Sequence, residues 1–418
     1  MTNNVHTASH ETVTALEATI DPATGRPASR LQGILLLIGS CLPVLGAVLL
    51  APVLPVISEV YAKVPGVDAL VPLIVTIPAL MIALIAPFAG VIVDRVGRKR
   101  LLVIALIAYG ILGTAPLYIA SLGGIVLSRV GVGVAEAAIM TCCTTLLADY
   151  FVGNRRNRYL GLQTVVTSLS ATAFFVVGGA LGSTGWRTPF WLYAVSLLLV
   201  IPIAILIWQP AVRSSEERRA SKLAGIPWGP LLLPLVVTLF GGIVFYALIV
   251  ELPYVLSGLG VKDTGIIGLA TALASLATAI GAISFRRLAR FEVARLLPLA
   301  LGLAGVGLVA VWLAPVVPLA IIGAMITGFG NGILLPTLLT WAISKLNFEQ
   351  RGRGTGLWTG FLFFGQFASP LILLGVGAGI GGLTPALGAL GIASLLVAVI
   401  VGVVLGRVPQ PSLVQSAN

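Results

Sequence analysis

Apolar positions along this chain gather into long blocks separated by short polar breaks that are rich in cations. Twelve blocks can be drawn, at residues 33–57, 69–93, 101–120, 125–147, 160–181, 189–208, 231–256, 266–285, 296–313, 316–344, 357–375 and 383–405. A helix rises 1.5 Å per residue, so about 20 residues cross a hydrocarbon core of ~30 Å, and each block is about that long. The pattern predicts an all-α membrane protein of twelve transmembrane helices. The longest later polar break, 209–230, carries Arg213, Glu216, Glu217, Arg218, Arg219 and Lys222 and falls at the midpoint of the chain. It reads as a cytoplasmic linker between a six-helix bundle over 31–208 and a second over 231–406. Residues 1–30, with Glu11, Glu17, Asp21, Pro22 and Pro27 and no apolar core, read as a disordered cytoplasmic tail, and 407–418 as a second tail. The first tail lacks the short basic start of a signal peptide. His6 and His10 stand at i, i+4 spacing there and read as a solvated pair, so no metal site is expected.

Composition changes this picture little and charge changes it more. With 58% hydrophobic and 9% charged residues and a mean hydropathy of +1.08, the chain is excluded from the ordinary water-soluble class. A net charge of +11 would suit a nucleic-acid partner, but the distribution excludes one. Of 25 Lys and Arg, all but Lys63, Arg129, Arg187 and Lys262 fall in the tails or in breaks after even-numbered blocks, which puts them on one side of a membrane. Loops rich in Lys and Arg stay cytoplasmic, so both termini are expected inside. Cys41, Cys142 and Cys143 lie in apolar blocks and read as small buried hydrophobes, not as a disulfide framework.

The most specific break is Gly90-Val91-Ile92-Val93-Asp94-Arg95-Val96-Gly97-Arg98-Lys99-Arg100, with four cations in its last six residues. Gly90 has no Cβ and would let another helix pack closely, and Gly97 can take the positive φ that a short turn needs. Asp94 is placed to pair with a neighbouring cation or to face the positive N-terminus of another helix. The two halves also repeat. Arg155-Arg156-Asn157-Arg158-Tyr159-Leu160-Gly161 aligns at an offset of 195 with Gln350-Arg351-Gly352-Arg353-Gly354-Thr355-Gly356, and Gly133 meets Gly328 at the same offset. A weaker echo of the charged turn, without its acid, follows the eighth block at Gly281 and Phe285-Arg286-Arg287. Duplicated six-span halves are a transporter pattern, with a substrate site between the halves.

These residues resemble the signature loop between the second and third spans of the major facilitator superfamily. Leu45-Gly46 followed by Pro52-Val53-Leu54-Pro55 is similar to the first-span motif of its twelve-span drug:proton antiporters, and Val126-Leu127-Ser128-Arg129 with Gly133 to their fourth-span motif. Gly185-Trp186-Arg187 after the fifth span fits too, while Ser170 and Phe174-Phe175 depart from the antiporter pattern and only Gly178-Gly179 survives of it. The resemblance implies two pseudo-symmetric six-helix bundles, with spans one, four, seven and ten lining a central cavity. It implies that Gly90, Asp94, Arg95, Gly97, Arg98, Lys99 and Asp149 form a cytoplasmic gate that holds the outward-facing state closed below. The start of the eleventh span, at Gly352, Arg353, Gly354 and Thr355, would turn its positive end toward Asp94 for about 0.3–1 kcal/mol.

Three charges fall inside predicted spans: Arg129, Glu136 and Glu251. A charge at the bilayer centre costs about 2.5–3.5 kcal/mol, so such groups usually face a cavity and act. Arg129 and Glu136 are seven apart on the fourth span, on one face and about 10.5 Å apart along the axis, where long side chains could form a structural ion pair. Glu136 also stands where the resembled motif has a small residue, which asks for a cavity. Glu251 precedes Pro253 and Tyr254 late in the seventh span and reads either as part of an external gate or as an acid at headgroup level. Tyr246, Asn331 and Trp341 fall on spans that the resemblance assigns to the cavity, although a span aromatic is often mere packing.

The expectation is a secondary transporter that exports a small organic or drug-like compound against entering protons. Glu136 is the expected proton carrier, because apolar surroundings favour the neutral acid and an approaching Arg129 the carboxylate. An importer or facilitator of organic anions would instead use Arg129 as the anion ligand. A non-transporting receptor stays open as a different class. An enzyme is not expected: no His lies in a span, and neither a nucleophile and base pair nor a Walker A loop is present. No cofactor is expected. Partners are the small-molecule substrate, protons and the lipid of a plasma membrane, or the inner membrane of a Gram-negative cell, with the chain a monomer.

Overall fold

The computed structural model describes residues 25, 27–210, 225–347 and 350–406, so His6, His10, most of both tails and the charged part of the linker lie outside the described residues. Twelve helices in it are long and apolar enough to span a membrane. We number them α1 (Arg30–Val60), α2 (Val67–Val96), α3 (Arg98–Leu117), α4 (Leu122–Tyr150), α5 (Gly153–Gly182), α6 (Thr188–Leu206), α7 (Trp228–Gly258), α8 (Thr264–Leu288), α9 (Val293–Trp312), α10 (Val317–Ile343), α11 (Arg351–Ile380) and α12 (Leu383–Gly406). All twelve predicted spans are present. Several are longer than their apolar blocks because helix continues into the polar breaks: Arg155, Arg156 and Arg158 sit in the first turns of α5, and the charged turn shrinks to Gly97 alone between α2 and α3. Gly97 takes φ +93°, a conformation that a Cβ would strain.

Proline sets the irregularities. At Ala51–Val53, Ala86–Phe88 and Ala115–Leu117, an Ala-Pro step brings a short 3-10 turn into or onto the end of a helix. Proline has no N–H for the carbonyl four residues earlier, so that carbonyl is left for another donor.

The halves pack as repeats. A methyl built on Gly133 of α4 would meet the backbone of Pro78 in α2, and one on Gly328 of α10 would meet the Ala274 carbonyl in α8, so the same helix pair closes on a glycine in each half. One apolar cluster fills the amino-terminal half around Leu106, Tyr109, Ile139 and Tyr193, and two fill the carboxy-terminal half, around Leu297, Leu334 and Trp341 and around Leu252, Leu308 and Leu387.

Several helix pairs join the halves. Helix α5 crosses α8 where Gly179 meets Gly268, so the surviving Gly178-Gly179 pair is a crossing point and Gly178 abuts the Leu49 carbonyl. Helix α11 lies on α2, with Gly356 against Ala86 and Pro87 and Gly360 against Ala83. Helix α7 meets α1 through a Ser58–Tyr254 hydroxyl hydrogen bond of 3.0 Å.

Candidate functional site

Helix α1 carries the site's central feature. Between Leu42 and Ala47 it presents two carbonyls and a bare Cα to three other helices. Tyr109 of α3 donates to the Leu42 carbonyl at 2.7 Å, and Tyr246 of α7 donates to the Ala47 carbonyl at 2.9 Å and to the Val75 carbonyl of α2 at 3.1 Å. Between them, the Glu136 carboxylate of α4 occupies the space that a Cβ on Gly46 would fill. Glu136 is 1% exposed, and its Oε1 has no hydrogen-bond partner among the described residues. The cavity that an acid in a packed seam requires is thus supplied by Gly46. It lies one residue from the point where Tyr246 docks the second half onto the first.

Arg129 and Glu136 do not form the ion pair that their spacing allows. Pro116 leaves the Leu112 carbonyl at the end of α3 without its usual i+4 donor; the Ala115 N–H donates to it in a tighter turn, and Arg129 adds a second bond, with Nη2 donating to Leu112 at 2.9 Å and to Gly113 at 3.1 Å. Nε donates to the Ser128 hydroxyl at 3.2 Å. The guanidinium carbon lies 5.4 Å from the Phe190 ring centre and 5.1 Å from that of Tyr193, within cation–π range. Arg129 is fully buried between α3, α4 and α6, and Nη1 has no partner among the described residues.

Asn331 of α10 stands 195 residues after Glu136, so the two occupy the same place in the repeat. Each is buried with one side-chain oxygen lacking a hydrogen-bond partner among the described residues. Trp341 is different: it packs in the carboxy-terminal core beside Leu231, Leu334 and Leu338. Tyr246 belongs to the core cluster of the opposite half, which makes it a joint between the halves.

Some of the residues expected to form a gate meet at one end of the molecule. Arg98 is nearly buried and pairs with Asp149 at 3.0 Å and with Asp94 at 3.4 Å. Gln209, just after α6, accepts from the Lys99 backbone N–H at 3.0 Å and caps the start of α3, a role that nothing in its sequence context signals. Arg95 lies in the last turn of α2. Gly90 does not take the close packing expected of it: its Cα is exposed and a Cβ there would meet nothing within 4 Å. The close approach comes earlier, at Ala83, Ala86 and Pro87, around the 3-10 turn Ala86–Phe88, where Gly356 and Gly360 of α11 meet α2.

At the opposite end, a cavity of about 550 Å³ opens between α1, α2, α7 and α11. Glu251 lines it together with Glu59, Asp68 and Tyr254. Among the described residues, no group of three His, Cys, Asp or Glu could hold a metal.

The Major Facilitator Superfamily model matches residues 36–290 and 235–418 of the chain. Quinolone resistance protein NorA of Staphylococcus aureus is 26% identical over 200 residues, which are 47% of this chain and 50% of NorA. The chain thus spans about half the length of that curated relative. The 3-(3-hydroxy-phenyl)propionate transporter of Escherichia coli strain K12 is 25% identical over 312 residues, 71% of this chain and 76% of the relative. Among solved structures, an inward-facing, unoccupied bacterial homologue of the human lysosomal transporter Spinster superposes with a TM-score of 0.73 at 17% identity, covering 93% of this chain and 98% of the other. Twelve spanning helices in two repeated halves, together with a family match along almost the whole chain, place this protein in the Major Facilitator Superfamily, a family of membrane transporters and not of enzymes.

Proposed function

We propose that the chain exports a small organic compound in exchange for protons, with Glu136 as the proton carrier. The observation that carries this reading is the buried Glu136 carboxylate, its Oε1 unpartnered, against Gly46 and next to the Tyr246 joint between the halves. An acid held there without a fixed cation is free to take up a proton when the seam opens one way and to lose it when it opens the other. The similarity to NorA, whose name describes quinolone resistance, supports export. The gate cluster Asp94, Arg98 and Asp149 then lies on the cytoplasmic side with both termini, the protein sits in a plasma membrane as a monomer, and 31–208 and 231–406 move as two bodies about the site. Reconstituted vesicles test this: an imposed proton gradient drives uphill movement of a quinolone or similar substrate, and collapsing the gradient stops it.

A second reading, import of an organic anion bound by Arg129, has in its favour the free Nη1 and the similarity to a hydroxyphenylpropionate transporter. Against it, Arg129 is committed to two carbonyls, a hydroxyl and two aromatic rings inside one half, away from the seam.

A further inference from the structure

The turn between α8 and α9 keeps the cations of the gate cluster without its acids. In the first half Arg98 is held by Asp94 and Asp149. At the offset of 195 the counterpart of Asp149 is Ser344, and in the echo of the charged turn Phe285 stands where Asp94 would. Arg286, Arg287, Arg290 and Arg295 remain, with Glu292 as the one acid among them. The Arg290 guanidinium lies over Phe291, 4.9 Å from the ring centre. Arg286 and Arg287 are exposed, form no ion pair with any described residue, and line an open pocket of about 510 Å³ together with Ile283 and Ser284.

An apolar track leads to this pocket. Gly281 brings α8 against the Phe329 carbonyl of α10, while a separate face of α8 carries Ile266, Leu269, Leu273, Leu276, Ile280 and Ile283, all exposed. Steps of three and four keep these residues on one stripe, and Arg286 and Arg287 follow Ile283 at the same steps. From Leu273 to Ile283 the helix rises about 15 Å, half of a ~30 Å hydrocarbon core, so the stripe offers one leaflet's depth of apolar surface that ends on two guanidiniums.

We propose that this pocket binds an anionic phospholipid of the leaflet on the gate side, with the phosphate between Arg286 and Arg287, the Ser284 hydroxyl as a further donor, and an acyl chain along Ile283, Ile280 and Leu276. A guanidinium fork matches two phosphate oxygens at once, and basic pockets at the ends of spans suit anionic headgroups. Arg98 is unsuited to this because two carboxylates already hold it. A free phosphate would meet the same guanidiniums but would leave the apolar stripe uncovered. The inference depends neither on the direction of transport nor on Glu136.

The full chain, purified in a neutral detergent, is titrated with dioleoylphosphatidylglycerol and separately with dioleoylphosphatidylcholine, and the lipid retained is read by native mass spectrometry. Wild type is expected to hold phosphatidylglycerol about tenfold more tightly than phosphatidylcholine. The double variant Arg286→Gln/Arg287→Gln loses that preference, Arg286→Lys/Arg287→Lys keeps part of it because the charge stays and the fork goes, and Arg158→Gln, which removes an exposed cation of α5, leaves it intact. Equal retention of the two lipids by wild type, or an undiminished preference in the double Gln variant, overturns the proposal. A loss in Arg158→Gln as large as in the double Gln variant overturns it too, since the attraction then belongs to the whole basic end. Glycerol 3-phosphate, which has the phosphate and no chains, separates the two sources: displacement of phosphatidylglycerol by an equal concentration of it overturns the lipid assignment in favour of a soluble phosphate, and failure to displace supports the lipid.

Discussion

The carboxylate of Glu136 sits in the space that a side chain on Gly46 would need, so a residue of α1 and a residue of α4 share one volume. Gly46→Ala should therefore force the Glu136 side chain to turn away. Its tip is flexible, so the expected stability loss is modest, about 1 kcal/mol, while proton-driven transport falls steeply. Thermal unfolding in detergent beside vesicle transport checks the split. A Gly46→Ala protein with normal transport would mean that the position of Glu136 does not matter.

Arg129→Met removes a charged donor from the Leu112 and Gly113 carbonyls and leaves Leu112 with only the Ala115 N–H. Charged hydrogen bonds are worth about 1.5–3 kcal/mol in water and often less inside membranes, so a loss of about 1–3 kcal/mol is expected. Denaturation of the purified protein measures it. A loss below 0.5 kcal/mol, about the noise of such a comparison, would show that other donors replace the guanidinium.

Arg98 has its shorter contact with Asp149 and its longer one with Asp94. Asp149→Asn should thus cost the more stability of the two. Asp94→Asn should insert and fold normally yet transport poorly, because its charge acts on the balance between conformations more than on the fold. Expression, melting temperature and transport rate of both variants, measured side by side, test this ordering.

Two glycines should behave oppositely. Gly90→Ala meets nothing, removes a flexible residue from a helix and should be neutral or slightly stabilising in a melting assay. Gly356→Ala brings a methyl to 2.9 Å from the Ala86 carbonyl oxygen, part of a backbone that cannot swing aside, and should loosen the α2–α11 seam and lower transport.

How much of this was readable in the sequence follows from the range of each force. Spanning helices depend on local apolar length, so all twelve are visible as blocks, and Asp94 and Arg98, which pair across the Gly97 turn, are only four residues apart. Gly90 misled because a glycine in a motif says that a Cβ is absent, not that a neighbour fills the gap; the contact falls about a turn earlier, at Ala86 and Pro87. The Arg129–Glu136 spacing allowed an ion pair, but spacing along one helix cannot reveal that Pro116, thirteen residues upstream on another helix, frees a carbonyl that claims the guanidinium. The cap that Gln209 places on α3 bridges 110 residues and has no local sign at all. The equivalence of Glu136 and Asn331 was available from the offset that aligns Gly133 with Gly328, and it becomes telling once both prove buried with an unpartnered oxygen.

Glu136→Gln tests the account most directly. Glu136 has no ion pair to break, so the variant should melt close to wild type, without the roughly 3–5 kcal/mol loss that follows from stranding a buried partner. In vesicles it should still exchange substrate down its own gradient, since the neutral amide mimics the protonated acid, but it should no longer accumulate substrate when a proton gradient is imposed. Undiminished gradient-driven accumulation by a folded Glu136→Gln protein would contradict the proton-carrier assignment.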